Sequence, residues 1–204
     1  MARPLVLACG ALVAELRAVL TANVLSDAVE VRYLPANLHN RPDRIVPALR
    51  ELLAEHDPLG DRPVLLGYAD CGTGGHLDAL LAEHPNLQRL PGNHCYEFFA
   101  GTPAFEALAE AELGTFYLTD FLAKHFDALV WQGLGLDEHP ELLQAYFGHY
   151  TRLVLLSQSP DAAVDAAAQA AALQLGLRYE HHHVGLAPFE AAVTIALTST
   201  RKVA

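Results

Sequence analysis

Short apolar runs, each closed by a glycine, proline or polar turn and followed by a segment of helical period, alternate through the first half of the chain. This order constrains the fold more than any other feature. Leu5-Val6-Leu7-Ala8 precedes a helix expected over about 11–25, with Leu12, Leu16, Val19 and Leu20 at helical spacing. Val29–Leu34 precedes a helix that Pro42 opens, with Asp43 in its first turn, running to about Glu55. Pro63–Tyr68 precedes a helix over Gly75–Glu83, and Leu87–Pro91 precedes one over Pro103–Glu112. Strands joined through helices run parallel with right-handed crossovers. The expected class is therefore α/β, a mainly parallel sheet with helices on both faces.

The second half is less regular. Gly114–Thr119 reads as a strand, with a helix from Asp120 to His125, and Pro140–His149 as a further helix. Arg152–Ser157 is a strand, followed by the alanine-rich helix Asp161–Leu175. Gly176 caps that helix, and Leu177–Tyr179 is a last strand leading into His181-His182-His183. Phe189–Thr198 suits helix and strand equally. A length of 204 residues fits one domain over 1–204, built as one doubly wound sheet or as two Rossmann-like lobes, 1–113 and 114–204, around a cleft.

Charge narrows the partners. A formal net charge of −11 leaves no basic face to release counterions from nucleic acid, and it disfavours anionic membrane surfaces. No apolar segment is long enough to span a bilayer. The opening run is broken by Cys9-Gly10 and flows into a charged helix, so it does not read as a secretory signal. With no such signal, three cysteines, an odd number, read as reduced thiols in a cytoplasmic protein.

Those cysteines share a setting. Cys9, Cys71 and Cys95 each follow an apolar run, and His39 lies in the loop after the second strand. If the strands are parallel, all four reach the rim where open α/β sheets keep their ligands. Three thiols and an imidazole suit zinc, and three thiols could also hold an iron-sulfur cluster. The bland alternative is that Cys9 and Cys71 are small buried residues beside tight turns. In Asp70-Cys71-Gly72-Thr73-Gly74-Gly75, Gly72 and Gly74 could offer backbone N–H groups to an anionic cofactor or substrate. The same turn would lower the Cys71 pKa and ready it as a nucleophile, although a plain βα turn explains the glycines as well. Tyr117, Thr119 and Asp120, at a strand end facing the expected cleft, are candidates to hydrogen-bond a small-molecule substrate, with Asp120 equally suited to capping a helix. His181-His182-His183 reads by default as a surface tract, because alternate members of a strand face opposite sides.

Taken together, Ala8-Cys9-Gly10, Tyr33-Leu34-Pro35, Leu38-His39-Asn40-Arg41-Pro42, Tyr68-Ala69-Asp70-Cys71-Gly72, His94-Cys95-Tyr96-Glu97 and Phe116-Tyr117-Leu118-Thr119 resemble the family known as domain of unknown function 1638. The family pattern often has Asp where this chain has His94. The resemblance implies a role in one-carbon metabolism beside corrinoid-dependent methyltransferase components. It favours the set Cys9, His39, Cys71 and Cys95 as zinc ligands. The implied functions are methyl transfer to a thiol, or an accessory or metallochaperone role on a corrinoid protein or methyltransferase subunit. A metal-free enzyme with Cys71 as nucleophile stands as the third alternative.

Overall fold

The structure, a computed structural model, describes residues 3–203. The chain forms two compact units, one comprising the residues up to Phe98 with those from Pro188 onward, the other Phe99–Ala187. Each is built on an all-parallel sheet with helices around it, the α/β class that the alternation requires. Among the described residues no helix is long and apolar enough to cross a membrane.

In the first unit, β1 (Leu5–Cys9), β2 (Glu30–Leu34), β3 (Val64–Gly67) and β4 (Leu87–Arg89) lie in the order β2-β1-β3-β4. They alternate with α1 (Val13–Ala22), α2 (Ile45–His56) and α3 (His76–Glu83), and α4 (Cys95–Ala100) follows β4. The inner strands are apolar on both faces, as a covered parallel sheet demands. Leu5 and Leu7 of β1 and Val64 and Leu66 of β3 pack with Ile45, Leu49 and Leu53 of α2 and with Leu77 and Leu80 of α3. Each fully buried leucine contributes about 1.5–3 kcal/mol. Gly67 pairs with Ala8, and a Cβ there would stand 2.7 Å from the Ala8 Cβ, so the two strands approach closely because this residue has no side chain. From β1 the chain leaves toward β2 on one side, and from β3 toward β4 on the other. The order reverses between β1 and β3, so the crevice of this sheet opens at their carboxyl ends.

In the second unit, α5 (Thr102–Ala111) precedes β5 (Thr115–Thr119) and α6 (Asp120–Lys124). A π-helical turn at Asp127–Trp131 and α7 (Leu143–Phe147) lead to β6 (Arg152–Ser157), α8 (Ala162–Leu175) and β7 (Arg178–His183). The sheet order is β5-β6-β7. The Asp161 carboxylate accepts from the Ala163 N–H at 2.9 Å to start α8, and Gly176, with φ +71, ends it. Val164, Ala168, Ala171 and Leu175 line the helix face that packs on Leu153 and Leu155 of β6. Arg152 is 5 % exposed and fully engaged: its guanidinium donates to Thr115 Oγ1, the Leu108 carbonyl and Glu180.

Three features depart from the sequence pattern. Cys95–Ala100 is helical where no helix was expected. The last strand runs through all three histidines instead of ending near Tyr179, because its backbone pairs with β6 up to Ser157↔His183 whatever the polarity of its side chains. The ambiguous tail is helical, as part of α9 (Ala187–Val203), anchored by Phe189 against Phe98 and by Glu190 accepting from Asn23 at 2.7 Å.

Candidate functional site

The thiols collect at the crevice of the first unit. Cys9 ends β1. Cys71 lies just past β3, and its N–H donates to the Asn93 carbonyl at 2.8 Å, tying the β3 loop to the β4 loop that carries Cys95. Each cysteine is half-buried, and Cys9 and Cys71 pack on the apolar cluster beneath them. Cys71 has φ +51, a conformation uncommon for a residue with a side chain and found disproportionately at functional sites.

Burial dominates the electrostatics of the three thiols. Burial raises the Cys9 thiol above its ordinary value, with partial relief from the Ala11 N–H and the Tyr68 hydroxyl. Burial also pushes Cys71 up to about 12, and Cys9 and Asp70 add like-charge repulsion, while the N–H groups of Ala69 and Cys95 oppose the rise. Cys95 is held well above the ordinary value, first by burial and then by Cys71 and Cys9, against the N–H groups of Tyr96 and of Cys95 itself. The Cys71 result is the reverse of the lowering expected from the glycine-rich turn, because desolvation outweighs the few dipoles that reach the sulfur. Each sulfur thus receives at least one backbone N–H, and Cys71 and Cys95 also sense neighbouring thiols.

Tyr68 lies one residue beyond β3. It is 2 % exposed, and its hydroxyl lies beside Cys9, within range of Cys71, yet makes no hydrogen bond of ordinary geometry. Burial, and then the two neighbouring thiols, raise its pKa. A buried hydroxyl left in this way costs roughly 1–3 kcal/mol.

His39 follows β2. It lies in a 3₁₀ segment, Ala36–Asn40, and is exposed on its outer side. Desolvation of the ring, and then repulsion from His94, lower its pKa. Among the described residues no group of three or more His, Cys, Asp and Glu side chains stands arranged to hold a metal ion.

The glycine-rich turn is organised from within. Asp70 accepts from the Thr73 hydroxyl at 2.7 Å, the Gly75 N–H at 3.0 Å and the Gly74 N–H at 3.2 Å. Burial pulls the Asp70 pKa up, but Gly75, Thr73, Gly74 and Arg89 together hold it below its ordinary value. Gly74 therefore already spends its N–H on Asp70. Gly72, with φ +79, rests against the Pro42 ring.

Tyr117 and Asp120 belong to the second unit. Tyr117 is 9 % exposed and packs its ring 5.1 Å from Phe105. Asp120 is 4 % exposed and latches β5 to the loop after β6. Its Oδ1 accepts from the Gln158 N–H at 3.0 Å, and its Oδ2 from the Ser159 N–H at 2.9 Å and hydroxyl at 2.6 Å. Thr119, not Asp120, caps α6, accepting from the Leu122 N–H. Sequence reasoning passed over Tyr68, whose place one residue beyond a buried strand was the available signal.

A family model described as "Protein of unknown function (DUF1638)" matches residues 33–193, a span that holds His39, Cys71 and Cys95 but begins after Cys9. No curated protein and no solved structure matches the chain.

Proposed function

The chain belongs to the DUF1638 family, and from that premise we propose that Cys9, Cys71 and Cys95 bind a thiophilic cation, zinc first among them, and offer it to a small-molecule thiol. The reading rests on one observation: Cys9 ends β1, and the Cys71 N–H donates to the carbonyl of Asn93, two residues before Cys95, which ties the loops after β3 and β4 together at the crevice side of the sheet. Three protein sulfurs leave the fourth position of a tetrahedral ion open, as a catalytic site requires. A closed structural site would add His39, in the 3₁₀ segment after β2, as the fourth ligand. Bound zinc supplies the positive charge that keeps its sulfur ligands, and a thiol at the open position, deprotonated at neutral pH. The chain's own part is to enclose the sulfurs, exclude water and aim the Tyr68 hydroxyl at Cys9. Beside corrinoid-dependent methyltransferase components, such a thiolate would serve as a methyl acceptor, which makes a corrinoid protein the partner to test.

The metal-free alternative, with Cys71 as nucleophile, fares worse. A thiol with a pKa of about 12 is ionised in roughly one molecule in 10⁵ at pH 7, whereas reactive cysteines have lowered values. The test is anaerobic purification followed by elemental analysis. About one zinc per chain, lost in Cys71→Ser, supports the site. A coloured, iron-containing protein indicates a cluster on the same sulfurs. A wild-type chain that is metal-free and takes up no added zinc refutes the proposal.

A further inference from the structure

In the second unit the pairing of β6 with β7 aligns side chains that a thiol site does not use. Ser157, the last residue of β6, has its Oγ 2.8 Å from His181 Nε2 and 3.0 Å from His183 Nδ1. The register explains the contact: Ser157 stands opposite His183, and His181 shares its strand face. His181 Nδ1 lies 3.0 Å from Asp165 Oδ1 on α8, and the Tyr179 hydroxyl donates to the same oxygen at 2.6 Å. One unbroken chain results, Asp165–His181–Ser157–His183.

The proton directions follow from what each group can do. A carboxylate only accepts, so His181 turns an N–H toward Asp165 and leaves Nε2 as an acceptor. Ser157 gives its single proton to that nitrogen and accepts from the His183 Nδ1–H. His183 is left with a bare Nε2 that meets no hydrogen-bonding partner among the described residues, and a Cβ on Gly185 would stand 3.9 Å from it. Exposure then decides which atom reacts. Ser157 is 1 % exposed and closed to an electrophile, whereas His183 is exposed at the strand end. The order of groups is that of a serine hydrolase triad, but its reactive end is the second imidazole.

We infer that this chain is a proton-abstraction site in which His183 is the general base toward a small molecule that bears one weakly acidic proton. The substrate proton passes to His183 Nε2 as the His183 Nδ1 proton moves to Ser157 Oγ and the Ser157 proton to His181 Nε2. The substrate retains the electron pair, and the imidazolium comes to rest at His181 against the Asp165 carboxylate. Ser157, His181 and Asp165 position and relay, and His183 alone touches substrate.

The test uses the full chain and 5-nitrobenzisoxazole, whose C–H loss to a base breaks its N–O bond and releases a coloured phenolate. Wild type should open the ring roughly a hundredfold faster than free imidazole. His183→Gln should abolish that acceleration, and Asp165→Asn and Ser157→Ala should each reduce it about tenfold, within the span of general-base effects. Nitrogen-15 NMR of the wild type should find the His183 proton on Nδ1, moving to Nε2 in Ser157→Ala. A wild-type His183 protonated on Nε2, or a His183→Gln variant as fast as wild type, overturns the inference.

Discussion

Asp120→Asn separates a structural from a substrate-binding carboxylate at the end of β5. In the native unit one oxygen of Asp120 holds the Gln158 N–H and the other holds both donors of Ser159. The amide keeps the first of these but turns an NH₂ toward Ser159, whose hydroxyl can rotate to accept while its backbone N–H cannot. One largely enclosed N–H then loses its partner, and two charge-assisted bonds become neutral ones. Together these cost about 2–4 kcal/mol. For a chain of this size that is a fall of roughly 5–15 °C in Tm. Trp131, the one tryptophan of the chain, lies in the same unit, so its fluorescence in urea reports the event directly. Should Asp120→Asn unfold within about 0.5 kcal/mol of wild type, the latch is not what the carboxylate does, and a role toward substrate regains its footing.

Further outcomes follow from the first unit. Gly67→Ala should destabilise by about 1–3 kcal/mol in a denaturant titration, since its Cβ would meet Ala8 backbone and side chain at 3.0 and 2.7 Å; an unchanged midpoint would contradict that close approach. In metal-free protein, iodoacetamide labelling of Cys71 read by mass spectrometry should climb about tenfold per pH unit between 7 and 10, and a plateau below pH 9 would show that burial does not govern the thiol. Asp70 has a folded pKa below its ordinary 3.8, so its contribution is complete above that value and disappears as pH falls through the folded pKa. Asp70→Asn should therefore be less stable than wild type at neutral pH, with the gap closing below about pH 4; a gap constant across acid titration would rule the linkage out.

The strand–helix alternation was plain in the sequence because parallel strands buried on both faces are continuous apolar runs, and β1, β3 and β6 are such runs. The cysteines stood out for the same reason, each following one. Asp70 and Tyr68 did not, since their roles depend on which loop amides and which sulfurs lie across from them, and spacing carries no such information. The second half was hardest to read where strand character is imposed from outside. Leu177–Tyr179 is only the start of β7, and its continuation through three histidines comes from pairing with β6. The Ser157 relay depends on that register and was invisible for the same cause.

The path of the chain bears on its synthesis. The first unit is left at Phe98 and rejoined only at Pro188, where Phe189 seats on Phe98 and Glu190 on Asn23. The intervening stretch is contiguous and carries every strand of its own sheet. The earlier-translated unit must wait for the carboxyl-terminal helix to emerge before its packing is finished. A released chain truncated after residue 187 should accordingly protect the later segment from protease while leaving the amino-terminal portion open to cleavage.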